Sequence, residues 1–122
     1  VHTQRDMIYT AATVQACGNQ LRPGEVMLCF YPLFWMAGED VGLIFPIFSG
    51  ATCVLLGRWD PVSFMGAVQA RKVTAVKLLV DNAVELMDHP RVGAFDLTSI
   101  EKTQVSSFVK KLNREFRARW KA

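Results

Sequence analysis

Val26-Met27-Leu28-Cys29-Phe30-Tyr31-Pro32-Leu33-Phe34-Trp35-Met36-Ala37-Gly38 is the stretch on which the fold turns. Five apolar residues in succession, Val26 to Phe30, read as a strand buried on both faces, the kind found in parallel sheets. Pro32 ends the ladder, because it has no N–H to donate and a fixed φ. The carboxyl end of the strand therefore carries Phe34, Trp35 and Met36, followed by the small residues Ala37 and Gly38. In open α/β sheets that end is where ligands bind. Rings and a thioether on such a loop suit the wall of an apolar pocket, with Ala37 and Gly38 leaving room for a chain to enter. They equally suit a plug that only covers the end of the sheet.

Outward from this stretch, strand and helix patterns alternate. Upstream, Thr3 with Asp6 three residues on forms a capping box. Met7, Ile8, Ala11, Ala12 and Val14 recur at helical spacing, and Gly18 is placed to close that helix in the left-handed conformation. Residues 19–25, with Pro23-Gly24, read as a turn. Downstream, Gly38 to Phe48 reads as a helix with Glu39 and Asp40 in its first turn, kinked or ended by Pro46. Ala51 to Leu56 is a second buried strand. Asp60 caps a helix with Pro61 at its first position, running to about Arg71 with Phe64 and Val68 inward. Val73 to Val80 is a third strand, Asp81 or Asn82 caps a helix ending near His89-Pro90, and Ile100 to Val105 is a short edge strand. Phe108, Leu112, Phe116 and Trp120 form an apolar stripe at helical spacing. The alternation predicts an α/β fold: a three-layer parallel sheet of three or four strands, flanked by helices and joined by right-handed crossovers. No repeat or linker divides residues 1–122, which read as a single α/β segment.

The chain has 122 residues, of which 51% are apolar and 20% charged, so it has enough apolar material for a core. The apolar share is high for so small a unit and predicts an exposed apolar patch with a tendency to self-associate. The charge is uneven. Residues 1–100 carry seven Lys/Arg and nine Asp/Glu, a net −2, and residues 101–122 carry seven and two, a net +5, giving +3 together. The basic tail raises the possibility of nucleic-acid binding. It shares its helix with the apolar stripe, and a solvated face over packed residues is the reading preferred, with no nucleic acid as partner. Cys17, Cys29 and Cys53 have neither metal-ligand nor redox spacing and read as reduced thiols of a cytoplasmic protein. The longest apolar region, Val41 to Leu56, is broken by Pro46, Ser49, Gly50 and Thr52, and falls short of the roughly 20 continuous residues a membrane span needs.

Several stretches together resemble the AMP-forming acyl-CoA synthetases, the adenylate-forming ligase superfamily. Pro32-Leu33-Phe34-Trp35-Met36-Ala37-Gly38 is similar to that family's P-L-F-H-x-x-G segment. Val1-His2-Thr3-Gln4-Arg5-Asp6 resembles the segment after its phosphate-binding loop, and Gly50-Ala51-Thr52 its G-A-T strand start. Trp59-Asp60-Pro61 through Lys72-Val73-Thr74 resembles its F-D-P … K/R-V-T unit. Ala83 to Pro90 and Asp96-Leu97-Thr98-Ser99-Ile100 resemble its L-x-x-H-P … D-L-S-S-L run. The likeness covers nearly the whole chain, in the expected order.

The resemblance implies an internal segment of the large N-terminal domain of a ligase. Such a ligase activates a carboxylic acid, of which a fatty acid is the favoured class and an aryl acid the alternative, as an acyl-adenylate, and passes it to coenzyme A. ATP, Mg2+ and coenzyme A would serve the parent enzyme, with none bound by this segment. The family's lysine-ended phosphate loop would fall before Val1 and its Tyr-Gly-x-Thr-Glu segment after Ala122, so the segment alone should be inactive. By the same resemblance Phe34, Trp35, Met36, Ala37 and Gly38 would line the acyl pocket. Ser106, Ser107 and Phe108 would stand at the adenine site, in place of a glycine-rich turn; a helix cap by either serine explains them as well. Trp35 stands where many members have histidine. An indole has one N–H donor and no base, so it would act as a wall or gate. No residue of the chain reads as catalytic or as a metal ligand: His2 and His89 lack partners in the sequence, and adjacent Glu39 and Asp40 point about 100° apart on a helix. The rival reading is a non-catalytic, stand-alone interaction module built on the same sheet.

Overall fold

The apolar runs become four parallel strands in a computed structural model that describes residues 3–18, 20–106, 114, 115 and 118. They are β1 (Val26–Cys29), β2 (Thr52–Leu55), β3 (Ala75–Leu79) and β4 (Lys102–Ser106), in the spatial order β2-β1-β3-β4. Register runs Met27 opposite Cys53 and Ala75, and Lys77 opposite Gln104. β1 lies inside the sheet, and Met27, Leu28 and Cys29 are almost wholly shielded from solvent. The order of strands reverses between β1 and β3, and the crevice outside their carboxyl ends is where a sheet of this topology takes its ligands.

Helices cover both faces. On one side lie α1 (Gln4–Cys17) and a continuous helical stretch made of α2 (Met36–Glu39), a wide π turn (Asp40–Ile44) and α3 (Phe45–Ser49). On the other lie α4 (Pro61–Arg71) and α5 (Val80–Asp88). Phe64, Met65 and Val68 of α4 and Ala83 and Leu86 of α5 are fully buried there.

The caps with local causes form as predicted. Thr3 Oγ1 accepts from the Asp6 N–H while the Thr3 N–H donates to Asp6 Oδ2, completing the box. Asp60 accepts from the Ser63 N–H at 2.7 Å, with Pro61 opening the helix.

Five expectations are corrected. Gly18 is not left-handed: its φ is −127°, and glycine is needed because a Cβ would lie 2.9 Å from the Val14 carbonyl oxygen. The apolar stripe of α1 is buried only at Ala11, and Ile8 is 61% exposed. The helix assigned to 38–48 starts at Met36 and continues past Pro46 to Ser49. The π turn makes this possible, because the Phe45 N–H bonds the Asp40 carbonyl and shifts the ladder by one residue. The Val41 carbonyl that residue 46 would meet in that register is approached at 3.8 Å by the Cys53 thiol. β2 is an edge strand with Thr52 and Leu55 exposed, rather than a buried one. Finally, α5 begins directly at Val80, and Asn82 supports its start from the third position by accepting from the Leu79 N–H. The predicted stripe residues Phe108, Leu112, Phe116 and Trp120 lie outside the described residues.

A pair of side chains ties β4 to the start of β1. Lys102 Nζ lies 2.6 and 2.7 Å from the two Glu25 carboxylate oxygens and 2.7 Å from the Gln20 carbonyl. Burial alone would push the Glu25 carboxyl up; the Lys102 ammonium and the Arg22 amide and charge outweigh it and hold the carboxyl below its usual range. A depressed folded-state value means the contribution is full above the unfolded carboxylate range and is lost as pH falls through the folded value. Glu25→Gln should therefore cost about 1.5–3 kcal/mol near neutral pH. The deficit should shrink on acidification, as read from urea midpoints at pH values above and below that window.

Candidate functional site

The carboxyl ends of β1 and β3 carry an aromatic file. Trp35 meets Tyr31 edge-on at 5.4 Å between centroids, and Tyr31 lies 4.2 Å from Phe30. Phe30 in turn contacts Trp59 at 4.5 Å and Phe64 at 6.0 Å. The loop is thus anchored ring by ring into the α4 side of the core. Its backbone is equally constrained: Trp35 N–H bonds the Pro32 carbonyl, and the Trp35 carbonyl accepts from the Gly38 and Glu39 N–H groups, opening α2.

The candidate wall divides in two. Phe34 is 94% exposed, Met36 72% and Trp35 44%, with Leu33 beside them. All of these side chains stand on the solvent-exposed surface of the loop after β1. Ala37 is half-buried and Gly38 fully buried. The space left by Gly38 is filled by the loop itself, since a Cβ would lie 2.0 Å from the Pro32 carbonyl oxygen. Gly42, one turn on, is closed off by Leu33, Cys29 and Leu55. Ser106 ends β4, half-buried, at the level of Leu79; Ser107 and Phe108 lie outside the described residues.

Tyr31 is a site residue that pattern reading took only as the end of a strand. Its hydroxyl donates to the Lys77 carbonyl at 3.1 Å, locking the β1 end to β3. Burial, with Cys29 adding to it, raises its phenol well above the ordinary range, so it is a fixed donor and not an acid or base near neutrality. The Cys29 and Cys53 thiols are likewise poor nucleophiles near neutrality. Burial raises Cys29, which approaches the Tyr31 and Gly38 carbonyls at 3.8 and 3.9 Å, and burial with the Cys29 charge pushes Cys53 up to about 12. Among the described residues no three His, Cys, Asp or Glu side chains converge as metal ligands. None of these residues forms an acid–base pair across the crevice; what the arrangement supplies is shape, apolar contact and fixed hydrogen-bond donors.

Known proteins share this architecture. 4-coumarate–CoA ligase 3 of Arabidopsis thaliana is 29% identical over 104 residues, covering 82% of this chain and 18% of that protein. The chain therefore spans less than a fifth of that relative's length. The anthranilate CoA ligase AuaEII, solved with anthranoyl-AMP, superposes with a TM-score of 0.85 at 20% identity, over 96% of this chain and 23% of that one. The N-terminal domain of FACL13 from Mycobacterium tuberculosis gives 0.78 at 16% identity, over 93% and 29%. The sheet flanked by helices is thus the fold of the N-terminal domain of adenylate-forming enzymes. Among the described residues no helix is long and apolar enough to cross a membrane. The family model of the AMP-binding enzymes matches residues 1–122 from end to end, and the chain belongs to that family.

Proposed function

We propose that residues 1–122 are one α/β segment of the adenylate-forming domain of a CoA ligase, and that this segment supplies one wall of the acyl pocket. The ligase joins a carboxylate to the α-phosphorus of ATP, releasing pyrophosphate, and the thiol of coenzyme A then displaces AMP to leave the acyl thioester. The acid has an apolar body, fatty or aryl, lying against Phe34, Trp35 and Met36. The observation that carries this is the exposure of those three side chains on a loop at the strand-reversal point, on a backbone held by Gly38 and Pro32. Ser106 stands at the adenine edge. ATP, Mg2+ and coenzyme A are held by the rest of the ligase, which acts in the cytosol, where the three free thiols stay reduced. Cut from its neighbours, the segment associates with itself through its exposed apolar side chains.

Two measurements test this. The purified 122-residue chain should release no pyrophosphate from ATP with octanoate or cinnamate; turnover would sink the segment reading. In the protein expressed from the whole reading frame, Trp35→Ala should raise the KM for the acid about tenfold, the loss of a large buried contact, and leave the KM for ATP in place. Parallel shifts in both constants would remove Trp35 from the acyl wall.

A further inference from the structure

The sheet is split at its carboxyl end. β1 stays paired with β2 through Cys29 and Leu55, and the Cys29 carbonyl still accepts from the Leu56 N–H at 2.8 Å. β3 stays paired with β4 through Leu79 and Ser106. Between the two halves, however, β1 pairs with β3 only at Met27–Ala75 and Leu28–Val76. Lys77, Leu78 and Leu79 therefore run on past the last β1 partner. The crevice at the strand-reversal point opens along this split.

One side chain crosses it. The Tyr31 hydroxyl donates at 3.1 Å to the carbonyl of Lys77, the first β3 residue past the last pair, and the Leu79 backbone hydrogen-bonds the same phenol. A phenylalanine would fill the same space with no polar atom to satisfy. A buried hydroxyl is costly unless bonded, and this residue is only 6% exposed; the tie to β3 is what the hydroxyl contributes. Pro32, next in the chain, has no N–H with which to continue the ladder, so the phenol stands in for the missing strand pairing. Two further rings lean on it. Phe30 lies 4.2 Å away on the core side, and Trp35 meets it edge-on at 5.4 Å on the loop side.

We infer that Tyr31 is a positioning residue: it pins the end of β1 across the split to β3, and so fixes the Trp35 ring as a standing side of the crevice. Being buried, Tyr31 acts on the acid through Trp35 and not by touching it. This deepens the acyl-wall reading and rests on it. Without the hydroxyl the Lys77 carbonyl loses this donor and the two halves of the sheet lose this tie. The Trp35 ring then leans on a support no longer fixed to β3.

The test is a double-mutant cycle on the protein from the whole reading frame: Tyr31→Phe, Trp35→Ala and the two together, assayed below the thermal midpoint of every variant. The acid is octanoate or cinnamate, whichever the unsubstituted protein activates. Tyr31→Phe should raise the KM for that acid about three- to tenfold, the range one lost hydrogen bond allows, with kcat and the KM for ATP unmoved. On the Trp35→Ala background the same change should raise it no further, because the ring through which Tyr31 acts is gone. A loss of packing alone would not vanish with Trp35, so effects that multiply in the double variant would overturn the inference. So would a KM for the acid untouched by Tyr31→Phe. Either result leaves the acyl-wall reading intact where Trp35→Ala alone raises that KM. A Trp35→Ala variant with an unchanged KM for the acid would instead remove the acyl wall, and the inference with it. No activation of either acid by the unsubstituted protein would overturn the ligase reading and the inference together.

Discussion

Gly38→Ala is expected to be the most damaging single-methyl change in the loop, costing about 3 kcal/mol or more. The added Cβ would stand 2.0 Å from the Pro32 carbonyl oxygen, 2.6 Å from its carbon and 3.0 Å from the Tyr31 carbonyl oxygen. All three are backbone atoms, so no rotamer change relieves the clash. The Pro32 carbonyl also accepts the Trp35 N–H at 3.0 Å, and moving it opens the turn that starts α2. Gly57→Ala is the matched control: a Cβ there meets nothing within 4 Å, and surface changes of that kind stay within about 0.5 kcal/mol. Urea denaturation of both variants would check the contrast. A Gly38→Ala midpoint indistinguishable from that of Gly57→Ala would mean the loop is free to move off the helix, and that its aromatic wall is not held in place.

How far the sequence announced this arrangement depends on the range of the forces involved. The Thr3–Asp6 box and the Asp60-Pro61 start are made within four residues, so reading them required no knowledge of the fold. The parallel sheet followed from β/α alternation, and the loop at the end of β1 from Pro32. Errors came where a distant partner decides. Gly18 looked like a left-handed stop, but its smallness serves close approach to Val14. Val54 and Leu55 look as apolar as Met27 and Leu28, yet β2 is at the edge because no strand pairs beyond it among the described residues. Pro46 looked like a helix breaker, and only the wide turn before it, with Cys53 near the Val41 carbonyl, shows how it is absorbed.

Stability and site should separate cleanly in the ring file that links Trp35 to the core. Phe64 is fully buried on α4 and touches Phe30 and Trp59, whereas Phe34, four residues along the loop from Phe30, is 94% exposed. Removing the Phe64 ring leaves a cavity under Phe30, and the rings above it lose their footing one after another. Phe64→Ala should cost about 3–5 kcal/mol. Phe34→Ala should stay within about 0.5 kcal/mol, because water already surrounds that ring. Under the proposed ligase function, the order should reverse in the activity of the protein from the whole reading frame, at temperatures where both variants are folded. Phe34→Ala should weaken the acid while Phe64→Ala, once folded, retains more of its affinity, since no part of Phe64 reaches the crevice. Thermal midpoints set against the KM for octanoate make the comparison. A stability loss at Phe34 as large as that at Phe64 would show the loop's outer ring to be part of the core, and a KM unmoved by its removal would take it out of the acyl wall. Phe64 sits on the inner face of α4 and Phe34 on the exposed loop after β1, and that placement divides packing from recognition.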